Sequence, residues 1–79
     1  PLEGPWPRGL VAGLEREIAG RLLVRATAST GRPPGRGQVE RILDRLARGE
    51  TPFREALAGH RLAADRLTIR MTPPARLLP

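Results

Sequence analysis

Arginine is the residue through which this chain can do chemistry, since it carries fourteen of them with no lysine, one histidine and no cysteine. The most suggestive grouping is the loop Gly31-Arg32-Pro33-Pro34-Gly35-Arg36-Gly37, which runs into a predicted helix. Glycines let backbone N–H groups approach an anion, Arg32 and Arg36 add charge, and the partial positive end of the helix adds to both. The spacing fits neither GxGxxG nor GxxxxGK[ST], so the loop is either a phosphate contact outside those motifs or a plain solvated connection. A second grouping places Arg25, Arg66 and Arg70 with Thr27 and Thr68 on two predicted strands. If those strands are neighbours, the side chains form a basic patch about 10 Å across. No aromatic residues are interleaved with it, so its chemistry would be contact with backbone phosphates and not stacking on bases. The third grouping, Arg41, Arg45 and Arg48, lies beside Glu40 and Asp44 on one predicted helix. Asp44 and Arg48 have the favourable i, i+4 spacing, and a face of mixed sign reads as solvated.

Catalysis has little to stand on. His60 is the only histidine and sits beside Arg61, where a surface position is expected, and the lack of cysteine removes thiolate nucleophiles, disulfides and His/Cys metal centres. The carboxylates are scattered and mostly adjacent to arginines, which favours their ionised form and suits ion pairs better than acid catalysis. A non-enzymatic protein without metal or cofactor is expected.

Net charge points the same way. Fourteen Arg against eight acidic residues give +6 at pH 7 and a pI near 11.7, a balance that attracts polyanions at low salt. The exclusive use of Arg, with Lys, Asn and Tyr all absent, is the signature of a GC-rich bacterial genome and does not itself argue for phosphate recognition. No apolar run approaches the ~18 residues of a membrane span, and no leader pattern opens the sequence. A cytoplasmic protein with no membrane contact is expected.

The elements that must position these arginines are read from periodicity. Val39, Ile42, Leu43 and Leu46 fall at i, i+3, i+4 and i+7 and predict a helix that Gly49 ends. Thr51 and Pro52 have the character of an N-cap and first helical residue, and Phe53, Ala56 and Leu57 repeat helical spacing, so residues 38–57 are expected to form a helical hairpin. Within it, Ile42 to Leu57 (ILDRLARGETPFREAL) resembles the short Gly-capped helical hairpins appended to many bacterial proteins, a resemblance that implies no function. Upstream, Leu10, Val11, Leu14 and Ile18 predict a helix over residues 8–19 with Gly20 just beyond its end. Residues 21–27 switch to a strand-like reading. Residues 60–65 read as a last helical turn or a connection, and residues 66–72 alternate Leu67, Ile69 and Met71 against Arg66, Thr68 and Arg70 as a half-buried strand.

The expected architecture is therefore one small α+β domain over residues 1–79, in the order α-β-α-α-β, with helices on one face of a short sheet. The stretches 1–9 and 73–79 are Pro-rich ends. Two strands make a poor sheet, so either a third strand from the termini or a second subunit must complete it; a core of 12 Leu and 10 Ala with a single Trp and a single Phe is small, which favours the second, and a homo-oligomer is expected. Trp6 reads first as a cap on that core. The leading expectation for function is binding of nucleic acid or ribonucleoprotein through backbone phosphates by Arg25, Arg32, Arg36, Arg66 and Arg70. The rival is a structural or assembly subunit that grips another protein, or itself, through an exposed Trp6 and the C-terminal Leu77 and Leu78.

Overall fold

The longest helix forms where its apolar stripe required one. In the computed structural model, which describes residues 5–28, 31 and 33–74, α3 spans Arg36–Ala47 and buries Val39, Ile42, Leu43 and Leu46. At its start the Gly35 N–H donates to Gln38 Oε1 at 3.3 Å, which is the side-chain half of a capping box. At its end Gly49 takes φ +73°. The Gly49 N–H donates to the Leu46 carbonyl and the Glu50 N–H to the Arg45 carbonyl, both at 3.1 Å, the paired bonds of a Schellman stop.

The rest of the chain corrects the expected order. β1 (Trp6–Pro7), α1 (Arg8–Ala12) and α2 (Arg16–Ala26) precede α3, and β2 (Phe53–Leu57), β3 (His60–Ala64) and β4 (Thr68–Thr72) follow it. The helix expected over residues 8–19 breaks at Gly13, and the strand expected over residues 21–27 is the second half of α2. Ala19, Leu23 and Ala26 are the buried residues of α2, an i, i+4, i+7 stripe that a strand reading of Leu22, Val24 and Ala26 conceals. Gly20 is therefore inside a helix and not beyond its end. The second helix of the hairpin is strand β2, and the 60–65 connection is strand β3.

The four strands form an antiparallel sheet in the order β1-β4-β3-β2. A second copy of the chain is not needed to complete it. Ala58 and Gly59 join β2 to β3, both with positive φ (49° and 83°), the two-residue turn whose twist matches that of paired strands. Asp65 organises the next turn: its carboxylate accepts from the backbone N–H of Thr68 at 2.7 Å and of Leu67 at 2.8 Å, and from the Thr68 hydroxyl. Leu67 stands in this turn, 78% exposed, and does not share the buried face of Ile69 and Met71.

One face of the sheet carries Phe53, Leu57, Leu62, Ala64, Ile69 and Met71, all buried, and the helices cover it with Val11, Ala19, Leu23 and the α3 stripe to form one core. His60 belongs to this buried face at 2% exposure and is not the surface residue its neighbour Arg61 suggests. Trp6 pairs in register with Ile69 and is 9% exposed within the same core. Arg8 fixes this N-terminal edge: its backbone N–H donates to the Leu67 carbonyl at 2.8 Å, and its Nη1 to the Asp65 carbonyl at 3.0 Å.

Candidate nucleic-acid interface

Ion pairing divides the arginines into two populations. Arg16 on α2 donates to Glu40 and Asp44 on α3, binding the latter at 2.8 Å. Arg21 pairs with Glu17, and Arg48 with Glu50. Arg45 reaches Glu50 at 2.6 Å and Glu55 at 2.9 Å while its guanidinium lies 4.4 Å from the centre of the Phe53 ring. The hydrogen bond from Arg45 holds the Glu50 carboxyl below the ordinary glutamate value. Arg41 approaches Glu55 at 3.9 Å. The mixed-sign face of α3 is thus tied to α2 and β2 by ion pairs across elements. Asp44 is taken by Arg16, and the expected i, i+4 bond to Arg48 is replaced by Arg48 with Glu50. Solvent screens such pairs, so they fix where the side chains lie more than they add to stability.

Of the arginines without a salt bridge to a described residue, three are grouped on the exposed face of the sheet. Because side chains alternate along a strand, burying Phe53, Leu57, Leu62, Ala64, Ile69 and Met71 sends Arg54, Arg61 and Arg70 to the opposite side, where all three are exposed. Register aligns Arg54 with Ala63 and Ala63 with Arg70 across the three strands, and Ala56 with Arg61 and Arg61 with Thr72 in the neighbouring row. From strand spacing, Arg54 and Arg70 stand about 10 Å apart with Arg61 roughly 8 Å from each. Ala56 and Ala63 are too small to fill the space between them. Two depressions sharing Arg54 result, one of about 640 Å³ bordered by Arg70, Thr68 and Asp65, the other of about 340 Å³ beside Arg61.

No carboxylate among the described residues forms a salt bridge with Arg54, Arg61, Arg66 or Arg70. Among the described residues the acid on this side is Asp65, whose carboxyl lies below the ordinary aspartate value chiefly through the backbone bonds from Thr68 and Leu67, with the charge of Arg70 a smaller cause. Glu55, although on β2, points to the helix side, where Arg45 receives it. Among the described residues the sheet face therefore carries more guanidinium groups than carboxylates, in shallow, solvated depressions.

Of the arginines expected to contact phosphate, Arg70 is on this face and Arg66 in the adjoining β3–β4 turn. Arg25 is not: with residues 21–27 helical, it projects from α2, and Thr27 is buried with its hydroxyl donating to the carbonyls of Leu23 and Val24. Arg25 and Arg36 instead border one groove between α2 and α3. Arg32, Leu77 and Leu78 lie outside the described residues. Trp6 is packed within the core and does not offer its ring as an exposed grip. Arg54 and Arg61, which occupy the place expected for Arg25, were hidden by the helical reading of residues 53–57. The signal that reveals them is alternation through 53–57 and 60–64 about Ala58-Gly59, interrupted by the inward-facing Glu55 and His60.

Comparison of the chain with protein-family models, with curated proteins and with solved structures finds no match. Among the described residues no group of His, Asp and Glu is placed to hold a metal ion, and no helix is long and apolar enough to cross a membrane.

Proposed function

We propose that this protein is a non-enzymatic cytoplasmic binding protein that contacts the phosphate backbone of nucleic acid, free or within a ribonucleoprotein, through the open face of its sheet. The observation that carries this reading is the set Arg54, Arg61 and Arg70, brought to one surface by strand register and forming no salt bridge with a carboxylate among the described residues. Arg66 extends the set at the adjoining turn. A duplex presents about six charges, counting both strands, in 10 Å of axis, so the spacing of these groups suits a polyphosphate surface. Arginine forks bind phosphate well. The face has no aromatic residue for base stacking, which favours recognition of backbone and shape over base sequence.

The test is binding of fluorescent duplex RNA and DNA of about 20 base pairs at about 50 mM salt. The R54Q/R61Q/R70Q variant, which leaves the buried face intact, is expected to lose most affinity for both. Undiminished affinity in that variant, or no measurable binding by the wild-type protein, overturns the reading. Self-association is supported separately by the position of β2 at an edge of the sheet, where strands of two copies can pair; light scattering across a concentration series reads it directly.

A further inference from the structure

A second surface has a different chemistry. We propose that the groove between α2 and α3 docks an acidic amphipathic helix of a partner protein. Depressions of about 490 Å³ and 260 Å³ share Val24 and Pro34 and so run together alongside α2 toward Ala28. From Glu17 to Ala28 this is roughly 16 Å, about three turns of a helix laid beside it. The floor is apolar, formed by Val24, Val39 and Leu43, with Val24 43% exposed. Gly20 opens it: a Cβ there would lie 3.6 Å from Val39 Cγ1 and 3.9 Å from Leu43 Cδ1, so any longer side chain would stand in the space an occupant uses.

Charge selects the occupant. Arg16 and Arg21 border the groove but are already paired with Glu40, Asp44 and Glu17. Arg25 from α2 and Arg36 from the start of α3 also border it, and neither forms a salt bridge with a described residue. The groove therefore combines an apolar floor with two unmatched guanidinium groups on opposite walls. A helix with an apolar stripe and flanking carboxylates complements both features. Nucleic acid would leave the apolar floor unused, and a second copy of this chain would bring its own net charge of +6 against the same arginines.

The test uses a labelled synthetic helix of about 14 residues with Leu at i, i+3, i+4 and i+7 and Glu elsewhere, together with the same peptide carrying Lys for every Glu. With the full chain, the Glu peptide is expected to bind more tightly than the Lys peptide by about tenfold or more. It is also expected to shift the backbone amide resonances of Gly20, Val24, Val39 and Leu43. Gly20→Leu should abolish binding by filling the groove. Should that variant fail to fold, R25E/R36E, altered only at exposed positions, is expected to reverse the preference in favour of the Lys peptide, which a folding defect cannot do. Equal binding of the two peptides, resonance shifts confined to the sheet face, groove resonances that shift with protein concentration alone, or displacement of the Glu peptide from the groove by duplex RNA would each overturn the proposal.

Discussion

Salt dependence gives the most direct reading of the sheet face. Each phosphate neutralised on a B-form duplex contributes about −0.9 to the slope of log K against log salt. With Arg54, Arg61 and Arg70 each engaging one phosphate, the slope should be about −2.7, so raising salt from about 50 to 200 mM weakens binding roughly 40-fold. Arg61→Gln removes one of the three contacts, the one on the middle strand of the three, and should bring the slope to about −1.8, with a loss of only about 12-fold over the same range. The control is Arg48→Gln, which lowers net charge equally but removes a side chain already paired with Glu50; its slope should match the wild type. Fluorescence anisotropy titrations at several salt concentrations measure all three. If Arg48→Gln and Arg61→Gln change the slope equally, binding reports overall charge and not a site, and the sheet-face reasoning fails.

Other outcomes follow from the fold. Leu62 is fully buried on the central strand β3, so Leu62→Ala should cost about 2–5 kcal/mol in urea unfolding. Ala58 holds φ 49° in the β2–β3 turn, a conformation costing an L-residue roughly 1–2 kcal/mol that Asn tolerates; Ala58→Asn should stabilise the protein by up to about 1 kcal/mol. Gly49 has φ +73° and open space where a Cβ would lie, so Gly49→Ala should cost about 1–2 kcal/mol from backbone strain alone. The Asp65 carboxyl is lowered in the folded state by bonds from Thr68 and Leu67. Its contribution is therefore present above the unfolded aspartate value and is lost as pH falls through the folded one. Asp65→Asn should flatten that part of the acid unfolding curve, read from urea midpoints between about pH 5 and pH 2.

Helix α3 and strand β4 were legible because each buries a stripe on one side only, and both periods survive in the residues: Val39, Ile42, Leu43 and Leu46 for the first, Ile69 and Met71 for the second. β2 was not. Its inward position 55 is a glutamate, admissible there because Arg45 reaches it from α3. With an acid in the apolar series, Phe53, Ala56 and Leu57 imitate a helix. The segment 21–27 failed for the converse reason, since its buried stripe of Leu23 and Ala26 is completed by Ala19, a small residue with little weight in a periodicity reading.

The sequence by itself determined an α+β domain with a basic charge balance, the central helix and its glycine stop, because these depend on composition and on contacts within a few residues. Which arginines are neutralised from another element, and which are gathered with no salt bridge to a described residue, was decided only by tertiary structure. Arg16 finds its acids 24 and 28 residues away on another helix. Arg54, Arg61 and Arg70 become neighbours only through the register of three strands. Charge is a property of the chain, but its compensation depends on distances of a few ångströms between residues far apart in sequence, and those exist only once the sheet and helices have packed.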